Sequence, residues 1–172
     1  SLPGQIAPSL LMGLKKVLST KDESAVELTM QCLHKLKEIS VLFGQAQIDA
    51  GADVLTFPDH ATGDLVSSEY YRRFLLEIHQ EMAEVFDAPL ILHICGNTLD
   101  RMPYIAETGM AAFHFDSKND PQEAMDKVDG KITLVGNINN PETLFAEGPE
   151  EVAILIEHDD RVLPSRQEEH IV

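Results

Sequence analysis

Short apolar runs alternate with long amphipathic stretches along this chain, and no other feature restricts its fold as strongly. From Ser24 to Ala50 the residues Val26, Leu28, Leu33, Leu36, Ile39, Val41, Leu42 and Ile48 recur at helical spacing. Gly51 follows as a C-terminal cap, so the segment reads as one long helix. Ala52–Phe57 reads as a short buried strand ended by Pro58, and Ser67–Phe86 as a helix capped by Ser67 or Ser68. The rhythm then repeats. Pro89–Cys95 (PLILHIC), Met110–Asp116 (MAAFHFD) and Lys131–Gly136 (KITLVG) read as strands. Between and after them, helices are expected over Thr98–Thr108, closed by Gly109, over Pro121–Val128, capped by Asp120, and over Pro149–His158. Gln5–Leu10 offers one more strand before Leu11–Leu18, weakened by Pro8, and Arg161–Val172 reads as an irregular tail.

Consecutive β-α units of this kind build a parallel sheet through right-handed crossovers, so the expected class is α/β. We expect four to six parallel strands in a single domain spanning all 172 residues. A complete eightfold barrel needs about 200–250 residues, which leaves an open sheet or part of a barrel. A hydrophobic content of 44% supports a real core. The formal net charge of −16, with its basic residues scattered, argues against nucleic acid and anionic lipid as partners. The apolar runs fall short of the roughly 18–20 residues that span a bilayer, and the first residues carry no signal-peptide pattern. A soluble, cytoplasmic protein is expected. Two cysteines are too few for a disulfide scaffold, which suits a reducing compartment.

Ligand sites of parallel sheets lie at the carboxyl ends of the strands, so the residues there are the functional candidates. His93 and Cys95 stand two apart in a strand, which turns both to one face about 6.5–7 Å apart along the chain. That spacing suits two ligands of one metal. By the same alternation Ala112, His114 and Asp116 share a face, and Asp116 comes beside Cys95 if the two strands are neighbours. A His-Cys-carboxylate set is a partial zinc site. Against this, an isolated H-x-C occurs often by chance, and both residue types are at home in a core. Cys32 and His34 also read C-x-H, but in a helix they point about 200° apart, so they are structural. Asp59 and His60 read as an acid/base pair at a pocket mouth or, equally, as a turn pair after Pro58. His79 and His158 read as solvated helix residues, and Gly136-Asn137 as a turn that lets a substrate approach backbone.

Four segments, IDAGADVLTFPDHATGDLVSSEYYRRF, LILHICGNT, ETGMAAFHFDSK and ITLVGNINNPETLFAEGPEEV, together resemble the uroporphyrinogen decarboxylase superfamily. Within it the likeness is to the methylcobamide:coenzyme M methyltransferase branch, and it covers roughly Gln45 to Val152. The resemblance implies a TIM-type (α/β)8 barrel longer than this chain, of which the chain is the carboxyl-terminal part. It implies zinc held by His93 and Cys95, with Asp116 as a third ligand. It also implies a reaction in which a small thiol such as coenzyme M, bound as thiolate, takes the methyl group of methylcobalamin and leaves cob(I)alamin. The donor would be free methylcobalamin or a corrinoid protein. Asp59 and His60 are carried over as the catalytic pair that positions substrate, and His114 and Asn137 as substrate-binding residues. One departure stands out. The family takes a further zinc ligand from a late P-x-C cysteine, whereas RVLPSRQEEHIV contains no cysteine and offers only His170 as a substitute. The absent amino-terminal half implies exposed strand edges and hence self-association or pairing with that half. Two other readings remain open: a metal-free decarboxylase in which Asp59 contacts a tetrapyrrole, and a non-catalytic domain that binds a corrinoid partner.

Overall fold

The computed structural model describes residues 23–139 together with Phe145, Gly148 and Pro149. The segments expected over Gln5–Leu10, Leu11–Leu18 and Arg161–Val172, and the helix expected beyond Pro149, lie outside the described residues. Contacts divide the chain after Asn137, and every element below belongs to the first unit. Of the second unit, the described Phe145 is exposed.

Helix α1 spans Glu23–Asp49 and buries Ala25, Thr29, Leu33 and Gly44 along one stripe, close to the span that the apolar spacing predicts. Strand β1 (Leu55–Asp59) follows, then α2 (Ser68–Tyr70), a π turn over Tyr71–Leu75, and α3 (Leu76–Val85). Ser67 caps α2 by accepting from the Tyr70 amide, as the sequence predicts, but the single expected helix is broken by the π turn. Strand β2 covers Leu90–Ile94, α4 Met102–Ile105, β3 Ala112–Phe115, α5 Pro121–Val128 and β4 Thr133–Val135. The α5 bounds and its Asp120 cap match the sequence reading, since Asp120 Oδ1 accepts from Glu123 N at 2.9 Å. Helix α4 is shorter than expected. Residues 98–101 form a tight turn in which the Arg101 amide bonds Thr98 O, and the helix proper starts only beside Pro103.

The four strands are parallel in the order β1-β2-β3-β4, so sequence neighbours are sheet neighbours. The expected parallel α/β class is therefore observed. One sheet face carries Leu55, Leu90, Leu92, Ile94, Phe113 and Phe115, and these pack with Phe74, Leu75, Ile78 and Met82 of the helix layer into one core. Gly44 lets α1 approach this layer, because a Cβ there would lie 2.5 Å from Phe86 Cζ.

Strand β1 departs from expectation by running through Pro58 rather than ending before it. The reason is that β1 is the edge strand among the described residues. Leu55 N donates to Pro89 O at 3.0 Å, and alternation then turns Phe57 and Asp59 toward β2 while Thr56 and Pro58 face the open side. A proline there forfeits no bond to β2.

Arg101 is fully buried, which its surroundings in the sequence do not announce. Its guanidinium donates to Ala61 O and Val66 O, each at 2.7 Å, and to the Asp100 carboxylate at 3.0 and 3.1 Å. It thereby pins the loop after β1 to the loop after β2. Replacing Arg101 with Met strands the buried Ala61 carbonyl and the half-buried Val66 carbonyl, and urea unfolding should read a loss of about 3 kcal/mol. An unchanged midpoint would show that water replaces the guanidinium at no cost.

Candidate functional site

The face of the sheet away from the helices holds the strand-end chemistry. In β2 the residues alternate between buried and less buried, which sends Ile91 and His93 to that face, and the β2–β3 register puts His114 of β3, less buried than Phe113 and Phe115, beside His93. The pairing of β2 with β3 sets His93 level with His114. Their rings stack at 4.7 Å between centroids, and His93 Nδ1 lies 2.7 Å from His114 Nδ1. On the other side of the same ring, His93 Nε2 is 3.0 Å from Cys95 Sγ. All of these bonds are satisfied when His93 donates its Nδ1–H to His114 and accepts the Cys95 S–H at Nε2. Burial, then the neighbouring His114, pushes the His93 pKa below its ordinary value, consistent with a neutral ring. Burial, then the charge of Asp116, raises the pKa of the Cys95 thiol, so this group is protonated at neutral pH.

Asp116 stands at the end of β3 and is fastened to backbone: Oδ2 accepts from Gly96 N and Oδ1 from Lys118 N, both at 2.9 Å. Burial opposes its ionisation, but those amide bonds outweigh it and hold the carboxyl below its ordinary pKa. A depressed carboxyl pKa adds stability at neutral pH that is lost as pH falls through the folded-state value. Gly96 itself has φ +79°, and a Cβ there would meet Thr62 Oγ1 at 2.5 Å, so the loops after β1 and β2 touch.

The structure separates the expected Asp59–His60 pair. Asp59 is buried and sits on the helix-facing side of β1 with Leu55 and Phe57. Its Oδ1 accepts from His60 N at 2.6 Å and Ala61 N at 3.1 Å, and its Oδ2 lies 3.0 Å from His79 Nε2. His60 is half-buried and directly follows the Asp59–Ile94 pair, so the register of β1 with β2 brings it level with Cys95. His79, which the sequence suggests is solvated, is 1% exposed and bonds Tyr71 through Nδ1 at 2.8 Å. Asn137 bridges backbone rather than opening toward a ligand, since its Nδ2 donates to Asp116 O at 3.1 Å and Asn119 O at 2.8 Å. Asn119, which the sequence reading missed, ties the ends of β2 and β3 through Thr98 N, Gly96 O and Asp116 O. Its signal was its place directly before the Asp120 cap, where the chain must turn. His93, Cys95 and His114 are thus brought together, with His60 and Asp116 beside them, whereas Asp59 and Asn137 serve the scaffold.

Tetrahedral zinc, with bonds of about 2.0–2.1 Å to nitrogen and 2.3 Å to sulfur, sets such donors about 3.5 Å apart. The His93–Cys95 pair, at 3.0 Å, needs only a small opening to fit two ligand positions. His114 gives His93 the outer hydrogen bond that fixes the ring of a metal-ligating histidine. Among the described residues no three His, Cys, Asp or Glu side chains converge as a metal set, and Asp116 is not drawn into one.

A family model described as uroporphyrinogen decarboxylase (URO-D) matches residues 9–171, and the chain belongs to that family. Methylated-thiol--coenzyme M methyltransferase of Methanosarcina mazei is 40% identical over 78 residues, 45% of this chain and 21% of that protein. Methylcobamide:CoM methyltransferase MtaA of Methanosarcina barkeri is 31% identical over 121 residues, covering 69% of this chain and 36% of the relative. A solved methyltransferase from Methanosarcina mazei superposes with a TM-score of 0.77 at 27% identity, over 87% of this chain and 44% of that one. The chain is similar to the methyltransferase branch, its β-α units are part of a TIM-type (α/β)8 barrel, and it spans less than half the length of these relatives. Among the described residues no helix is long and apolar enough to cross a membrane.

The electrostatics give a direct test. Removing the Asp116 charge in Asp116→Asn relieves one of the two causes that raise the Cys95 pKa. Alkylation of Cys95 by iodoacetamide at pH 8, resolved from Cys32 by peptide mass spectrometry, should become several-fold faster. An unaltered rate–pH profile would remove Asp116 from the thiol's surroundings.

Proposed function

We propose that this chain carries the thiol-activating part of a methyltransferase that moves a methyl group from methylcobalamin, free or on a corrinoid protein, to a small thiol such as coenzyme M. The observation that carries the reading is the convergence of His93 Nε2 and Cys95 Sγ at 3.0 Å on the open sheet face. The names of the relatives support the same reaction class. His93 and Cys95 hold zinc, completed by further donors, with Asp116 or, outside the described residues, His170 as the candidates in this chain. When bound, the metal supplies the Lewis acidity that keeps an acceptor thiol as thiolate at neutral pH. His114 orients the His93 ring, and His60, level with Cys95 in the β1–β2 register, borders the place where the acceptor binds. The decarboxylase reading relies on Asp59 to meet a tetrapyrrole, and a carboxylate 5% exposed among the helices is poorly placed for that task. The enzyme is assigned to the cytoplasm.

Metal content and turnover test this reading together. After incubation with zinc and dialysis, mass spectrometry should find close to one metal per chain, and the paired His93→Ala, Cys95→Ala variant should hold none. Thiol-dependent demethylation of methylcobalamin, followed by its absorbance, should fall about 100-fold or more in that variant. A folded parent that takes up no zinc would defeat the proposal, whereas zinc and corrinoid binding without turnover would favour the non-catalytic partner domain.

The partner side of the proposal rests on the β1 flank. Leu28, Ile39, Leu42 and Phe43 of α1 and Val54 before β1 are exposed, and Phe43, Leu55, Phe57 and Phe86 border a cavity of about 220 Å3. We assign this flank to pairing with the remainder of a barrel or with a second copy of the chain. Light scattering should report a mass that rises with concentration, and a monomer at every concentration would sink the assignment.

A further inference from the structure

The zinc reading leaves unused a chain of three buried polar side chains behind β1. Tyr71 is 0%, His79 1% and Asp59 5% exposed. Tyr71 Oη lies 2.8 Å from His79 Nδ1, and His79 Nε2 lies 3.0 Å from Asp59 Oδ2. When Asp59 is a carboxylate and His79 is neutral, His79 donates from Nε2 and its Nδ1 accepts from the Tyr71 hydroxyl. The direction of every bond is then fixed. Burial, followed by the charge of Asp59 and opposed by Arg101, holds the Tyr71 phenol well above its ordinary pKa, which keeps that donor in place.

The π turn makes this chain possible. Tyr71 and His79 are eight residues apart. In an unbroken α-helix that interval turns through about 800° and leaves the two side chains about 80° apart. The π turn over Tyr71–Leu75 absorbs one residue, so the pair stands like an i,i+7 pair, about 20° apart.

A carboxylate buried in a core is costly, and an apolar residue would fill the same space without that penalty. What the carboxylate does here is visible at its other oxygen. Asp59 Oδ1 accepts from the amides of His60 and Ala61, the first two residues of the loop that enters the strand-end site. The loop is held again from below, where Arg101 bonds Ala61 O and Val66 O. We infer that Tyr71, His79 and Asp59 form a positioning device that locks the Asp59 carboxylate and through it sets His60 beside the His93–Cys95 pair. The inference rests on the reading of that pair as the functional site. Asp59 is accordingly a positioning residue that reaches the site through His60.

Amide hydrogen exchange on the full chain tests it, with cobalt(II) as an independent probe of the pair. In Asp59→Leu the amides of His60 and Ala61 should exchange about 10- to 100-fold faster, while those of His93 and Phe113 in the sheet keep their protection. Asp59→Asn retains an acceptor at Oδ1 and, with His79 turned to the Nδ1–H tautomer so that Nε2 accepts from the new amide and Nδ1 donates to Tyr71, should restore protection at both. If Asp59→Leu does not fold, Tyr71→Phe serves instead: His79 keeps the Nε2–H tautomer that Asp59 imposes but loses its Nδ1 partner, and exchange at His60 should become faster. Parent-like protection in Asp59→Leu, or its loss in Asp59→Asn as well, would overturn the inference and leave only a packing role. In Tyr71→Phe parent-like exchange at His60 would overturn it equally. The cobalt–thiolate absorption band reports separately, since its absence from the parent would defeat the metal-site reading without touching the amide result.

Discussion

The level pairing of β2 with β3 is the constraint on which the rest of the structure depends. With His93 opposite His114, alternation sends both imidazoles to the open face and Leu92 and Phe113 to the helices. A slip of one residue in β3 would exchange Phe113 and His114 between the two faces. It would bury an imidazole among Phe74 and Met102 and leave His93 Nδ1 without the acceptor that defines its tautomer. The loops beyond the strands reinforce the alignment, with Asn119 and Asn137 clasping the carboxyl ends of β2 and β3 and Arg101 joining the loops after β1 and β2.

Much of this was legible in the sequence because it rests on local periodicity. The two-residue alternation in LILHI and AFHF marks strands with one buried face, and the same period brings His93 and Cys95 to one side. The Asp120 cap and the α1 stripe are local in the same sense. What stayed hidden is long-range or turns on a single residue of boundary. Adjacent strand residues point to opposite faces, so the roles of Asp59 and His60 depend on whether β1 stops before Pro58 or runs to Asp59. Arg101 meets carbonyls 40 and 35 residues away in sequence, a relation that no window of residues contains. The helical pattern runs unbroken through the π turn, so it gives no hint that His79 swings into the core to meet Tyr71 and Asp59. The likeness to methyltransferases supplied the barrel, because a piece of a closed sheet carries no local sign of closure.

The electrostatics of the open face follow from partial burial. The same modest desolvation that favours a neutral His93 also favours a protonated Cys95, so one environment prepares one donor and withholds the other. A cation arriving there must displace the Cys95 proton, which the His93 Nε2 lone pair holds, before it gains both donors. Metal capture at such a pair is therefore coupled to proton release and weakens in acid.

Pro58 gives the side of β1 that faces away from β2 a character of its own. Along that side Thr56 presents both an amide and a carbonyl outward, whereas Pro58 presents a carbonyl alone. A strand added to β1 must match this broken row of donors, and a generic extended peptide leaves one of its own acceptors stranded opposite the proline. The edge thus works as a keyed slot, closed to indiscriminate β-addition and open to a strand whose hydrogen-bonding sequence carries the complementary gap.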